Sequence, residues 1–283
     1  MGGGVIITEK NSYPGLFNLF SSFAWSRIGG YLFWLKRLDK TLYCFNKCVE
    51  LNPYNARYWV YKGVILYKLE RFDEALDSYD EALELKIPRS GRRLKVLILN
   101  NKGHALFMLE RFDEALDSFN EALELKIPRS GRRLKSLILN NKGQALFMLE
   151  RYDEALDSFN EALKLNTRGY EALANKSMAL YNLERYDEAL DCVNKALKLK
   201  RHHDIWNSKA IILYKLERYD EALNCINKAL KLNTDNSLIW NKARIVYKLE
   251  RYDEALDCVN KALKLDPDFK KALKLKEELL KDD

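Results

Sequence analysis

One octapeptide, Leu-Glu-Arg-Phe/Tyr-Asp-Glu-Ala-Leu, occurs six times in this chain of 283 residues. Its copies begin at Leu69, Leu109, Leu149, Leu183, Leu216 and Leu249. A degenerate seventh copy begins at Leu35, and successive copies are 34, 40, 40, 34, 33 and 33 residues apart. A repeat of this length is typical of stacked helical units, each of which buries its apolar face against the next. The period therefore predicts an all-α solenoid.

Each repeat contains two segments with apolar residues at helical spacing. Steps of three and four residues between them indicate two amphipathic helices. Glu70 and Arg71 would form the short turn between the helices of one repeat. Asp73 and Glu74 would open the second helix, where acidic groups favour the positive end of the helix dipole.

Small residues recur at one position of the first helix. In the six copies this position holds Gly63, Gly103, Gly143, Ser177, Ala210 and Ala243. The second helix has its own small pair, Ala75 and Ala82 in the first of these copies. Small side chains let two helix axes approach closely. Because a glycine inside a helix costs about 1 kcal/mol relative to alanine, we expect close contact there as compensation.

This combination resembles the tetratricopeptide repeat family. The matching residues are Trp59, Gly63, Leu66-Tyr67, Phe72-Asp-Glu-Ala75 and Ala82, and the pattern recurs over about residues 22–269. The resemblance implies a right-handed superhelical solenoid of antiparallel helix pairs, in which the first helices line a concave groove. It also implies a protein-protein interaction scaffold, without catalysis, that binds a peptide or protein segment in the groove. Fold alone does not dictate that function.

We predict three parts of the chain. Residues 1–21 form a flexible or capping segment, residues 22–269 form seven repeats, and residues 270–283 end a capping helix. The predicted repeats are 22–55, 56–95, 96–135, 136–169, 170–202, 203–235 and 236–269. The aromatic residues around the first repeat fit either an apolar cap or an exposed docking patch, since terminal repeats are often atypical.

The groove would be lined by first-helix residues near the small position. The candidates are Asn100, Asn101, His104, Asn140, Asn141, Gln144, Asn175, Asn207, Trp240, Asn241 and Arg244. Asparagine can both donate to and accept from a peptide backbone, and aromatic rings offer flat apolar contact. The alternative is that some asparagines tie one repeat to the next and that the aromatic residues belong to the core.

Two inserts with the same sequence, residues 87–95 and 127–135, lengthen the period to 40 residues. Pro88 would end the preceding helix and Ser90 would cap the next one. The basic residues of the inserts are Arg89, Arg92, Arg93, Lys95, Arg129, Arg132, Arg133 and Lys135. They would share one edge beside two helix N-termini, which favours an anion or an acidic partner. A solvated loop is the alternative interpretation.

The charge balance leaves a second function open. The chain carries 48 Lys and Arg residues against 41 Asp and Glu residues, a net charge of +7. This modest excess permits an anionic partner and does not require one. The alternative to a peptide scaffold is therefore a helical-repeat protein that binds nucleic acid or another polyanion through the Arg-rich inserts.

The sequence lacks the motifs of common catalytic sites, including a Gly-rich phosphate loop, His-Glu-x-x-His and Gly-x-Ser-x-Gly. We therefore predict no enzyme activity and no cofactor. Cys44 and Cys48 lie one helical turn apart, but His104 and the pair His202 and His203 belong to distant repeats, so we predict no metal site.

Composition also bears on location. The most apolar segment, residues 16–35, contains Asn18 and Arg27, so we expect no membrane span. Five cysteines without paired spacing fit a reducing interior. We expect a cytoplasmic protein.

Overall fold

The computed structural model describes residues 21–126 and 131–280. Fifteen α-helices and the short 3-10 turn Arg89–Gly91 are the named elements of these residues, and no strand occurs among them. The helices are α1 Ser22–Trp34, α2 Leu38–Leu51, α3 Ala56–Lys68, α4 Phe72–Glu84, α5 Arg92–Met108, α6 Phe112–Glu124, α7 Arg132–Met148, α8 Tyr152–Leu165, α9 Tyr170–Asn182, α10 Tyr186–Leu199, α11 His203–Lys215, α12 Tyr219–Leu232, α13 Asn236–Lys248, α14 Tyr252–Leu265 and α15 Lys270–Leu279. The predicted all-α class is confirmed.

The chain forms two compact units, Met1–Lys126 and Ile127–Asp283. In the first unit α1 packs on α2, α3 on α4 and α5 on α6. In the second unit the pairs are α7 with α8, α9 with α10, α11 with α12 and α13 with α14, and α15 packs on α14. A three-residue turn joins the helices of each pair, so the two helices run antiparallel. These are the helix pairs that the sequence predicts.

The octapeptide forms the turn inside each pair. In the fourth repeat the N–H of Glu150 donates to the carbonyl of Phe147 at 3.0 Å, and that of Arg151 donates to Leu146 at 2.9 Å. This is a Schellman ending, and it requires a left-handed residue at the second position of the octapeptide. Glu150 adopts that conformation with a φ of 60°, and the other five full copies also place a glutamate there with positive φ.

The arginine of the octapeptide bridges the turn and the second helix. Nε and Nη2 of Arg151 donate to the two carboxylate oxygens of Glu154 at 2.7 Å. The hydrogen bond from Arg151 is the main cause that holds the pKa of Glu154 below its ordinary value. The same pairing recurs in the other copies as Arg71–Glu74, Arg111–Glu114, Arg185–Glu188, Arg218–Glu221 and Arg251–Glu254. Because these groups are exposed to solvent, each pair contributes little to stability.

The left-handed glutamate gives a direct stability prediction. We expect Glu150→Gly to raise the free energy of unfolding by about 1 kcal/mol, because a residue with a Cβ is strained in this region and glycine is not. Urea denaturation would measure the change. The matched control is Glu161→Gly, at an exposed site inside α8, which should lower stability by about 1 kcal/mol. Equal losses at both positions would contradict the prediction.

The small position of the first helix faces a ring of the second helix. A Cβ added to Gly143 would lie 2.5 Å from Cε1 of Phe159, and one added to Gly63 would lie 2.5 Å from Cε1 of Tyr79. Both rings are buried. Where the small residue is Ser177, Ala210 or Ala243, the residue sixteen positions later is Val193, Ile226 or Val259 instead. Across these repeats a glycine of the first helix is thus paired with an aromatic ring of the second helix, and a serine or alanine with a smaller aliphatic side chain. The summed volume of the two side chains is balanced in this way, and the expected close contact is confirmed.

Other small positions of the second helices are also buried. Ala155 and Ala162 of α8 are completely inaccessible to solvent, as are Ala75 and Ala82 of α4. All five cysteines are free and buried. Burial raises the pKa of the Cys48 thiol to about 12, and the neighbouring Cys44 adds to this shift. These thiols therefore serve as small packing residues.

The first insert differs from its prediction in two respects. Helix α5 begins at Arg92 with Gly91 as its N-cap and without a side-chain cap. The expectation that Ser90 caps this helix is wrong, because a 3-10 turn over Arg89–Gly91 leads into the helix. The N–H of Gly91 closes this turn on the carbonyl of Pro88 at 2.7 Å. The predicted repeat limits at 95/96 and 135/136 also fall inside α5 and α7, so the limits belong in the inserts.

The ends of the chain are described in part. Residues 1–20, 127–130 and 281–283 lie outside the described residues, so the cap or docking patch proposed for the N-terminal segment stays a prediction. Helix α15 buries Ala272, Leu275 and Leu279, whereas Leu273 is exposed. In the described part of the chain, no helix has the length and apolar character needed to cross a membrane.

Candidate functional site

Aromatic rings mark the last turn of the first helices. Tyr214 meets Tyr219 edge to face with ring centroids 5.5 Å apart, and the Tyr247 and Tyr252 rings are tilted with centroids 5.8 Å apart. Tyr214 and Tyr247 are half-buried, so each ring supports the helix pair and also presents part of its surface. In the second unit these two surfaces lie in the same cavity.

A cavity of 270 Å³ lies between α11, α13 and α15. Its wall consists of Tyr214, Trp240, Arg244, Tyr247, Lys248, Lys271, Lys274, Leu275 and Glu278. A smaller pocket shares Tyr214 and Arg244 with it and extends to Tyr181, Ile211 and Asn241. The cavity therefore combines aromatic faces with four cations and one carboxylate.

Arg244 occupies the centre of this arrangement because it lines both pockets. Its guanidinium carbon lies 4.6 Å from the ring centroid of Tyr214, a cation–π contact. Among the described residues, no carboxylate lies within 4.0 Å of Arg244, Lys248 or Lys271, and Lys274 reaches Glu278 only at 4.0 Å. The positive charge of the cavity is thus largely uncompensated by the chain's own carboxylates.

Trp240 forms another part of the wall. Its ring packs edge to face on Phe269, with centroids 5.3 Å apart. Phe269 directly precedes α15, so this contact connects α13 with the start of the capping helix. Together with Arg244 and Asn241, Trp240 is one of three predicted groove residues that the structure places in the two pockets.

Four of the predicted groove asparagines form ties between neighbouring first helices. Nδ2 of Asn175 donates to Oδ1 of Asn140 at 3.0 Å, and Nδ2 of Asn241 donates to Oδ1 of Asn207 at 2.9 Å. Asn140 is only 6% exposed. For these residues the geometry supports the alternative interpretation, in which asparagines connect adjacent repeats.

The remaining predicted residues are not among those that line the two pockets. Asn100 and Asn141 are buried, so they do not present an open surface. Asn101, His104 and Gln144 are half-buried. The His104 ring has its centroid 6.3 Å from that of Tyr67 and 6.1 Å from that of Phe119, which places it in aromatic packing.

Sequence reasoning missed the cations of the capping helix. Lys271 and Lys274 belong to the predicted capping helix and were not among the candidate site residues, but both line the cavity. Their spacing of three residues puts them on one helix face, which is the only signal in the sequence that could have indicated a shared role. That α15 turns this face toward α13 depends on tertiary packing.

The basic residues of the inserts are described separately for the two units. Arg92 and Arg93 are exposed in the first turn of α5, and Nζ of Lys95 lies 3.0 Å from Oε1 of Glu121. In the second unit Arg132, Arg133 and Lys135 are exposed at the start of α7. Arg89 begins the 3-10 turn before α5, and Arg129 lies outside the described residues. The anion site stays a prediction.

The helix pairs are antiparallel, and the same turn and the same small position on the first helix recur from pair to pair. These features define a helical-repeat protein. A family model described as tetratricopeptide repeat matches residues 54–127, 94–168 and 134–202, and a second model with the same description matches residues 203–236 and 241–269. The chain belongs to the tetratricopeptide repeat family. The resemblance drawn from the octapeptide and its flanking residues is therefore confirmed.

Solved structures give the same fold. The chain is 18% identical to a chain of the APC/C hetero-tetramer Cut9–Hcn1, with a TM-score of 0.73, and the match covers 84% of this chain and 45% of that one. A tetratricopeptide repeat protein from Parabacteroides merdae is 18% identical over 92% of this chain and 98% of its own, with a TM-score of 0.70. These two likenesses show the fold alone.

A third solved structure has a title that names a binding site. It is YrrB, described as a TPR protein with an unusual peptide-binding site, and it is 25% identical with a TM-score of 0.50. The match covers 69% of this chain and 94% of that one. A comparison with curated protein sequences gives no significant match. Family and fold support a protein-interaction scaffold in general terms.

Proposed function

We propose that this protein is a non-catalytic scaffold that binds an extended acidic protein segment on the first helices of its second unit. The observation that carries the proposal is the cavity between α11, α13 and α15, where aromatic faces surround cations that lack carboxylate partners. YrrB, a relative by fold, is described as having a peptide-binding site, which supports the same class of partner. A cytoplasmic location belongs to the proposal, and free buried cysteines support it.

The side chains that line the cavity favour an acidic partner with an apolar residue beside the acidic one. A guanidinium presents two parallel N–H donors to a carboxylate, and stacking on Tyr214 holds the Arg244 group in place before binding. Lys271 and Lys274 add positive charge on the opposite helix. Trp240 and Tyr247 offer apolar surface beside these cations. In a bound segment, an acidic residue would pair with the cations, and an adjacent aromatic or large apolar residue would pack on the apolar surface.

Two open, adjoining pockets favour an extended segment over a small molecule, because pockets for small ligands enclose most of the ligand. A cavity of 270 Å³ with a smaller pocket beside it fits one or two side chains of a longer chain. The pockets share Tyr214 and Arg244, so a segment bound in one would continue into the other.

Peptide titration tests the proposal. The probe is a fluorescein-labelled library of short peptides in which Asp or Glu neighbours Phe, Tyr or Leu, followed by fluorescence anisotropy. We expect Arg244→Ala to weaken binding about tenfold or more, because a charge-assisted bidentate contact is worth about 1.5–3 kcal/mol. The control is Lys231→Ala, which removes the same charge from the exposed end of α12. The proposal would be contradicted if the wild type, Arg244→Ala and Lys231→Ala bound the peptides with equal affinity. A lack of preference for acidic over basic peptides would also contradict it.

Polyanion binding is the second candidate function. It rests on the exposed arginines that open α5 and α7, helices whose first turns contain no acidic residue. The same anisotropy experiment with labelled RNA and DNA separates the two functions. Replacing Arg92, Arg93, Arg132 and Arg133 together by alanine should abolish nucleic-acid binding and its steep salt dependence if the inserts are the site. Peptide binding at the cavity should survive this change.

A further inference from the structure

We infer a site for a divalent transition-metal ion at the start of α11, formed by His202, His203 and Asp204. This inference is independent of the proposed peptide site, which uses none of these residues. The prediction of no metal site weighed the histidines only against Cys44 and Cys48, and these cysteines lie in the first unit. The structure instead brings three consecutive residues of the second unit together.

The three side chains converge on one point. Their potential ligand atoms all lie within 4.8 Å of one another. Nδ1 of His202 lies 3.1 Å from Oδ2 of Asp204, and Nδ1 of His203 lies 3.0 Å from Oδ1 of the same carboxylate. The two imidazole rings face each other with centroids 4.2 Å apart and a tilt of 34°. Two nitrogen donors therefore flank one carboxylate.

These spacings suit a shared ion. In a tetrahedral site with bonds of about 2.0–2.1 Å to nitrogen and oxygen, neighbouring ligand atoms lie about 3.3 Å apart. The two nitrogen–oxygen distances in the structure are 3.1 and 3.0 Å. The two nitrogens approach different oxygens of Asp204, and the potential ligand atoms lie within 4.8 Å of one another, so binding would draw the three side chains together around the ion. Asp204 and His202 are also accessible enough to leave coordination positions for water.

A second observation separates this cluster from an ordinary ion pair. Nδ1 of His203 is buried and has no hydrogen-bond partner among the described residues. It lies 3.0 Å from Oδ1 of Asp204 but forms no hydrogen bond with it, so proximity alone does not satisfy it. Buried polar atoms nearly always have a partner, and a metal ion would supply one.

Helix capping does not account for the histidines. His202 occupies the N-cap of α11 and makes no side-chain cap hydrogen bond. The N-caps of α3 and α13 are Asn55 and Asp235, and their side chains accept from backbone N–H groups. The N-cap of α9, Gly169, also lacks a side-chain cap, so a missing cap does not by itself distinguish α11. Histidine is a poorer capping residue than asparagine or aspartate, however, so capping does not explain its presence here.

The donor set defines the ion. Imidazole nitrogen with one carboxylate suits Zn²⁺, Ni²⁺ or Co²⁺, whereas Ca²⁺ and Mg²⁺ prefer oxygen donors alone. Lys200 and Arg201 precede the site, are exposed, and lower its affinity for any cation by repulsion. Zn²⁺ is the appropriate probe for binding, and Co²⁺ reports the ligand field by its visible absorption.

Isothermal titration of the full chain with zinc chloride at neutral pH tests the inference. We expect one Zn²⁺ per chain, and we expect His202→Asn and His203→Ala each to weaken binding about tenfold or more, as loss of a ligand should cost at least as much as loss of an outer-shell partner. His104→Ala, which removes the remaining histidine, is the matched control and should bind as the wild type does. The five buried cysteines make competing thiol sites inaccessible.

The His202→Asn variant keeps the test independent of folding. Asparagine is a strong N-cap residue, so this variant should keep or raise the thermal stability of the metal-free protein while losing zinc affinity. Zinc should raise the melting temperature of the wild type and not of this variant, since a ligand stabilises only the state that binds it. The inference fails if zinc does not bind at millimolar concentration, or if a variant lacking both His202 and His203 binds as tightly as the wild type.

Discussion

Gly143→Ala should lower the free energy of unfolding by up to about 2 kcal/mol. The added Cβ would lie 2.5 Å from Cε1 of Phe159, far inside van der Waals contact, and this ring is completely buried. Overpacking of this kind costs about 1–3 kcal/mol, and the higher helix propensity of alanine recovers about 1 kcal/mol. The expected loss is the difference between these effects.

A second substitution should reverse much of this loss. Phe159→Ile alone leaves a void beside Gly143, but with Gly143→Ala it recreates the pair that Ala210 and Ile226 form in a later repeat. We therefore expect the double variant to be more stable than the sum of the single changes by about 1 kcal/mol or more. Urea denaturation of the four proteins measures this coupling energy, and strict additivity would contradict the volume balance.

The control for the glycine substitution lies in α1. A Cβ at Gly30 would meet no atom within 4 Å, and the residue is exposed. Gly30→Ala should therefore raise stability, by up to about 1 kcal/mol from helix propensity alone. Opposite signs at Gly30 and Gly143 would show that packing against the ring, and not glycine chemistry in general, determines the effect.

Asn175→Ala is the second substitution with a large expected effect, a loss of about 1–3 kcal/mol. It removes the donor to Oδ1 of Asn140, an amide that is 6% exposed. A buried acceptor without a partner retains its full desolvation cost. Because α7 and α9 belong to successive repeats, the loss would weaken the connection between two helix pairs.

Replacing both asparagines distinguishes the hydrogen bond from packing. In Asn140→Leu/Asn175→Leu no unsatisfied amide remains, so this variant should be more stable than either single variant. Asn182→Ala, at an exposed position at the end of α9, is the control and should change stability by less than about 0.5 kcal/mol. A cycle in which the two single losses add without coupling would show that the tie has no structural role.

The candidate site was predictable only in part. Trp240, Asn241 and Arg244 were expected in a groove and do line the two pockets. Asn140 and Asn141 had the same pattern and are buried instead. Successive helix residues differ by about 100° in direction, so the orientation of each helix toward its neighbours determines whether an asparagine forms a tie or a surface. No pattern within a single repeat contains that orientation.

The sequence by itself determined the helix pairs, their turns and the volume balance inside each repeat. These features depend on contacts within about 16 residues, such as the approach of Phe159 to Gly143 and the Arg151–Glu154 pair across the turn. Tertiary structure alone decided the positive cavity, which needs α15 to bring Lys271 and Lys274 beside α13. The histidine cluster is local in the chain, and the structure adds only the orientation of its three adjacent side chains. The physical reason is that short-range packing repeats with the sequence, whereas the surfaces between helix pairs depend on how those pairs are oriented.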